Sequence, residues 1–200
     1  MKGSPFKWLD LDTFCYNFLD GAQRIDHIRY FTARVNGQQD ADAPRRQQQY
    51  LNALQSMPSC DIHYGNFLTK RSMKPRVKNG RPGPPVEVYL SEEKGSDVNL
   101  GVHLVNDAHL DRFDVALVLS QDSDLLEPMR IVSAMGKPVG IIWLQPKTKV
   151  KGKWRAPSKP FSDASTFIKF ARTAHYRNSQ FADNVTDADG QILATKPQGW

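Results

Sequence analysis

The stretch Asp114-Val-Ala-Leu-Val-Leu-Ser-Gln-Asp-Ser-Asp124 limits the possible folds more than any other part of the chain. Val115 to Leu119 is an unbroken apolar run, which predicts a strand buried on both faces, as in a parallel sheet. The run stops at Ser120-Gln-Asp-Ser-Asp124, and Leu125, Met129 and Val132 then predict a helix. Asp122 and Asp124 are thereby placed at the carboxyl end of a buried strand, where open α/β sheets bind their ligands. Carboxylates crowded there repel, which raises at least one pKa unless a proton or cation intervenes. The cation such oxygens favour is a hard divalent one, Mg2+ or Mn2+. Helix capping by this segment would account for one Asp or Ser, and less readily for both acids.

A third carboxylate is expected to join them. Val86 to Leu90 has a β pattern, and Ser96 is a plausible N-cap for a helix running to about Leu110, with Asp97 in its first turn. Asp97, Gly101, Leu104 and Ala108 share one face of that helix. Gly101 and Ala108 are small, so this face can press close to a neighbouring strand and carry Asp97 toward the end of the sheet. The competing reading is that Asp97 only complements the helix dipole, a contribution of about 0.3–1 kcal/mol. His103 and His109, on the same helix, lack ligand spacing and are expected to be structural.

The rest of the chain supplies alternating elements. Apolar spacing predicts a helix near Asp10 to Leu19, whose early acids are read as helix-start residues, and a second over Arg45 to Leu54. Strands are expected over His27 to Val35, Asp61 to Leu68 and Pro138 to Leu144, and a last helix over Ser162 to Ala174. Thr69 to Pro85 is rich in Gly, Pro and cations and reads as a long basic loop, suited to a phosphate backbone. Gln145 to Pro160 reads as a second basic loop, with Lys151, Lys153 and Arg155 around Trp154, a combination that suits single-stranded nucleic acid. From about residue 175 the chain is expected to form a tail with one hairpin-like turn.

The chain of 200 residues is 40% hydrophobic, enough for one domain over residues 1–200. Its formal charge of +6 points to an anionic partner, nucleic acid first. Cys15 and Cys60 are far apart and in unlike contexts, which indicates neither a disulfide framework nor a zinc cluster. No apolar stretch approaches the roughly 20 residues of a membrane span, and the amino terminus lacks a signal-peptide core, so a cytoplasmic protein with no membrane partner is expected.

Several of these residues together resemble a known family. Glu92-Glu-Lys-Gly-Ser-Asp-Val98, Asp114 through Ser-Gln-Asp-Ser-Asp124, and Gly136-Lys-Pro-Val139 are similar to the NYN domain family, a branch of the PIN-like nucleases. Trp8-Leu-Asp10, Tyr30-Phe-Thr-Ala-Arg-Val35, Tyr50-Leu-x-Ala-Leu54, His63-Tyr-Gly65 and Lys196-Pro-x-Gly-Trp200 extend the likeness over nearly the whole chain. The resemblance implies a three-layer α/β sandwich with a central, mostly parallel sheet, and hydrolysis of RNA at an acidic Mg2+ or Mn2+ site. Asp97, Asp122 and Asp124 match the family's metal-site acids, and Ser120 its supporting hydroxyl. Lys94 is a candidate phosphate contact, and so are Lys151, Lys153 and Arg155.

The sequence departs from the family at one point. The family's opening strand, ending in Asp-Gly-x-Asn, supplies its first metal-site acid, and Met1-Lys-Gly-Ser-Pro-Phe begins just beyond where that strand would end. A truncated chain, or a start codon assigned too late, is therefore expected. Taken as complete, the chain is expected to bind metal weakly and to act as an RNA-binding or scaffold module. Asp122-Ser-Asp124 also fits the Asp-x-Asp motif of nucleotide-sugar transferases, which usually need a larger acceptor region than this chain offers.

Overall fold

Asp10 caps helix α1 (Leu11–Tyr16), its carboxylate accepting the Thr13 N–H at 3.1 Å and the Thr13 hydroxyl at 2.7 Å. Strand β1 (Ile28–Ala33) follows, then helix α2 (Ala43–Gln55), whose first turn holds Pro44 where no backbone donor is needed. The computed structural model describes residues 5–38, 40–144, 149–150, 153–154 and 157–198.

The predicted basic loop is instead a pair of long strands. β2 (Cys60–Lys78) and β3 (Arg81–Lys94) pair antiparallel from Asn66↔Lys94 out to Lys78↔Arg81. Asn79 and Gly80 join them with φ of 52° and 74°, the double positive φ of the turn that suits twisted hairpins. Prolines and cations disguised this ribbon in the sequence, although Asn-Gly is a strong hairpin signal.

Helix α3 (Ser96–His109) begins after Gly95, which is at φ 94°, one residue before the expected cap. The central run is shorter than expected: β4 covers Ala116–Val118 only, and Val115 is solvent-exposed. A 3-10 turn (Ser123–Leu125) and helix α4 (Leu126–Ala134) follow, then β5 (Val139–Trp143). Two-residue strands β6 (Lys149–Val150) and β7 (Lys153–Trp154) pair antiparallel within the second basic segment.

The predicted last helix over Ser162 to Ala174 does not form as one piece. The chain there makes α5 (Lys159–Ala164), strand β8 (Phe167–Phe170) and α6 (Thr173–Asn178). Phe167-Ile-Lys-Phe170 pairs with Gly140 to Trp143, and that ladder outweighs local helical preference. The expected tail is likewise packed structure. β9 (Asn184–Thr186) and β10 (Ile192–Thr195) form a hairpin whose Ala194 is buried, and the Trp8 indole donates to the Ala182 carbonyl at 2.8 Å.

The result is an α/β fold with two three-stranded sheets. β4, β5 and β8 pair in parallel in the order β4-β5-β8, while β1-β2-β3 joins one parallel and one antiparallel ladder. Every residue of β5 is buried, and its alternation sends Ile141 and Ile142 into different apolar clusters. One cluster gathers Trp8, Phe14, Phe18, Tyr50 and Leu54; the other gathers Met129, Val132, Val139 and Phe161. Burial of each such side chain contributes about 1.5–3 kcal/mol. β1 and β4 each end a sheet, so each keeps one edge without a strand partner among the described residues. Both belong to one core all the same, since Ile28 and Tyr30 pack in the same cluster as Leu117 and Leu119.

Candidate functional site

A helix contact, where a strand contact was expected, brings Asp97 within the electrostatic reach of Asp122 and Asp124. Gly101 of α3 lies against α4, where an added Cβ would meet Pro128 Cγ at 2.8 Å and Leu125 Cδ2 at 3.9 Å. Absence of a side chain at residue 101 thus lets the two helices approach, and the first turn of α3 reaches the turn after β4. An ion pair holds the other side of α3. Arg29 of β1 donates from Nε to Asp107 Oδ2 at 2.6 Å and from Nη2 to Oδ1 at 3.0 Å, and Arg112 adds a bond at 3.1 Å. Burial alone would raise the Asp107 carboxyl, but its bonds to Arg29 and Arg112 prevail and hold it below the ordinary value.

Asp97 carries the electrostatic signature of the cluster. Its carboxyl is raised above the ordinary value, by desolvation first, then by the charges of Asp122, Glu93 and Asp124. Glu93 was not among the predicted site residues. Alternation along β3 gives it the face opposite to Glu92 and Lys94, and the Ser96 hydroxyl donates to its carboxylate. The signal available in the sequence was its place one turn before Asp97 across the strand–helix junction.

A pocket of about 260 Å3 opens here, lined by Phe31, Glu93, Ser96, Asp97, Leu100, Leu119 and Ser120. Phe31 lies on β1 and Leu119 just past β4, so the pocket lies beside the two sheet edges that have no strand partner among the described residues. Asp122 and Asp124 lie outside this lining, in the adjoining turn. A larger cavity of about 690 Å3 lies between Asn17, Phe18 and the segment from Ile168 to His175. Its Lys169 ammonium is bound to Asp20 and the Phe18 carbonyl, and His175 accepts the Arg172 N–H at 3.4 Å. Those polar groups are already engaged, so the smaller, acid-lined pocket is the better candidate site.

Local hydrogen bonds define what each predicted residue does. Ser120 Oγ accepts the Asp122 N–H at 3.2 Å, and Asp122 Oδ1 accepts the Asp124 N–H at 2.9 Å. Asp122 therefore caps the 3-10 turn, the simpler of its two expected roles, using one of its two carboxylate oxygens. Lys94 is paired with Glu92 at 2.9 Å on an exposed face. Lys151 and Arg155 lie outside the described residues, and Lys153 is described only as part of β7.

Hard oxygen donors at mutually repelling carboxylates match the chemistry of Mg2+ or Mn2+. In geometry the acids are not preassembled: among the described residues no group of three or more His, Cys, Asp or Glu is disposed to hold a metal ion. Nor does any helix among them have the length and apolarity to cross a membrane. His103, expected to be structural, meets His63 with ring centroids 4.3 Å apart, and Phe31 stacks on His63 at 4.9 Å. Cys15 and Cys60 are buried free thiols, and burial pushes Cys15 up to about 12.

No family model matches the chain, and no solved structure matches it. A curated relative is the 6-hydroxy-3-succinoylpyridine 3-monooxygenase HspA of Pseudomonas putida, 24% identical over 159 residues, or 67% of this chain and 51% of the relative. The chain therefore spans about half the length of the curated relative it matches.

Proposed function

We propose that this chain is a metal-dependent ribonuclease of the PIN-like type, built as a three-layer α/β sandwich of the NYN kind. The carrying observation is the raised carboxyl of Asp97, which is desolvated first and then feels the charges of Asp122, Glu93 and Asp124, in a pocket that it lines together with Glu93. In that architecture the family's opening strand would pair with the edges of β1 and β4 that have no strand partner among the described residues.

Asp97, Asp122 and Asp124 would hold the divalent ion, with Glu93 as an added acid at the rim. When bound, Mg2+ or Mn2+ supplies a low-pKa water and a counter-charge for phosphate oxygens. The chain's own groups do the rest. Ser120 and the backbone of the 3-10 turn fix Asp122, while Phe31, Leu100 and Leu119 give the pocket an apolar wall that strengthens charge interactions inside it.

The test is cleavage of a labelled single-stranded RNA with Mn2+ present, using the parent chain, Asp97→Asn and Asp122→Asn. Cleavage that both variants lower by about 100-fold or more supports the site, as expected when metal-site groups are removed. Unchanged cleavage in Asp122→Asn rejects it. A second reading, an RNA-binding module without hydrolysis, is favoured by the capping role of Asp122 and the lack of a preassembled ligand set among the described residues. RNA binding without cleavage in saturating Mn2+ would select it. The monooxygenase likeness, at a quarter identity over half the relative, does not carry a reaction across. Hydroxylation of 6-hydroxy-3-succinoylpyridine by this chain, with RNA left intact, would overturn both readings.

A further inference from the structure

The β2–β3 ribbon leaves the domain near Thr69, which accepts a hydrogen bond from Asn36 at 3.1 Å, and continues about ten residues to its turn. At roughly 3.4 Å per residue the arm projects about 30 Å. Between Asn66 and Val86 the sequence has six cations, Lys70, Arg71, Lys74, Arg76, Lys78 and Arg81, and no acid. Arg71 makes a loose pair with Glu87 at 3.8 Å, both side chains exposed, an interaction worth little in water. Lys70, Lys74, Arg76 and Arg81 form no ion pair within 4 Å among the described residues.

The ladder register sorts these residues onto faces. Lys70 and Lys74 share one face with Leu90 and Val86, while Arg71 and Met73 share the other with Tyr89 and Glu87. Tyr89, directly opposite Arg71, is 69% exposed, and Met73 is 59% exposed. An isolated two-stranded ribbon is marginal in water, so an arm with both faces bare is suited to a partner that covers it.

Three occupants fit a bare cationic ribbon, and its details separate them. A second copy of the arm is disfavoured by like charge and by Pro75, Pro82, Pro84 and Pro85, which remove the donors that edge-to-edge strand pairing needs. A flat anionic membrane would meet one face, whereas the cations here occupy both. A single nucleic-acid strand satisfies both faces, with phosphates along the cations and a base against an exposed ring.

We infer that the β2–β3 arm is a docking element for single-stranded RNA, in which Tyr89 stacks on a base while Arg71, Lys74, Arg76 and Arg81 contact phosphates. This rests on the RNA reading above and adds to it the element that holds the strand outside the acidic pocket.

The experiment is fluorescence anisotropy of a labelled uridine-rich RNA oligomer with the full chain in EDTA, where hydrolysis plays no part, between about 50 and 200 mM salt. A fourfold variant, Arg71→Gln with Lys74→Gln, Arg76→Gln and Arg81→Gln, is expected to lower the salt slope by about 0.7 for each phosphate left without its cation. Tyr89→Ala is expected to weaken binding about 5- to 150-fold with an unchanged slope, and Tyr89→Phe to restore it. Circular dichroism checks that the exposed substitutions leave the fold intact. Parent-like affinity and slope in the variants would overturn the arm assignment while leaving RNA binding in place. A parent chain that binds no RNA would overturn both. Capture by phosphatidylserine vesicles in place of RNA, or arm-dependent dimers in light scattering, would also overturn it.

Discussion

Arg29 grips Asp107 with a two-pronged hydrogen bond, 2.6 and 3.0 Å long, that ties β1 to the middle of α3. Asp107 is nearly buried, so removing its charge leaves Arg29 partly buried without its main partner. Asp107→Asn is expected to cost about 2–4 kcal/mol in denaturant unfolding, short of the full buried-pair figure because Arg112 is exposed. The pH dependence has a defined sign. The folded carboxyl is held below its ordinary value of 3.8, so its stabilisation is complete above that value and lost as pH falls through the lower folded one. The variant should lack this acid-range loss.

Asp97 has the opposite sign. Its folded carboxyl binds a proton more tightly than the ordinary value of 3.8, so stability is greatest below that value and declines as pH rises through the raised one. Without metal, Asp97→Asn should therefore be slightly more stable than the parent at neutral pH, by on the order of 0.5 kcal/mol given its solvent exposure. With saturating Mn2+ the order should reverse, since a ligand of the folded state stabilises the chain that binds it better. Thermal unfolding with and without Mn2+ reads both effects; a parent melting point unmoved by Mn2+ counts against the site.

Gly101→Ala sets two effects against each other. Alanine favours the helix by about 1 kcal/mol, while its Cβ would crowd the Pro128 ring 2.8 Å away, an overpacking cost of about 1–3 kcal/mol. A net loss of about 1 kcal/mol is expected, together with weaker Mn2+ binding as α3 is pushed off α4. Pro128→Ala in the same chain should recover both. A Gly101→Ala protein with parental Mn2+ affinity would show that this helix packing does not set the site.

The arm's turn is open to a local test. Gly80 has φ 74° and nothing within 4 Å of an added Cβ, so Gly80→Val strains the backbone without touching the core. Amide exchange near the tip should quicken by a factor that corresponds to about 1–2 kcal/mol, with global unfolding unchanged.

The acidic site was legible in the sequence to the extent that it depends on neighbours along the chain. An apolar run that ends in Ser120-Gln-Asp-Ser-Asp124 has its acids at a strand end, and Asp97 falls in the first turn of its helix. Glu93 was missed because the expected strand stopped at Leu90, three residues short of it, and the ladder that carries β3 on to Lys94 is a pairing with a separate segment. The arm was missed for a related reason: Pro, Gly and Lys between residues 69 and 85 suggest a loop locally, while the long ladder that makes them strands is a pairing between separate segments.

By itself the sequence determined periodicity, caps and turn chemistry, which are matters of a few adjacent residues, and hence which carboxylates could stand at the end of a strand or the start of a helix. Tertiary structure alone decided that Asp97 and Asp122 share a field, because the packing responsible joins residues distant in sequence. Gly101 meets Pro128 and Arg29 meets Asp107 only after α3, α4 and β1 have packed. It also decided that β1 and β4 end their sheets among the described residues, since strand pairing is a property of two segments at once and no single segment encodes it.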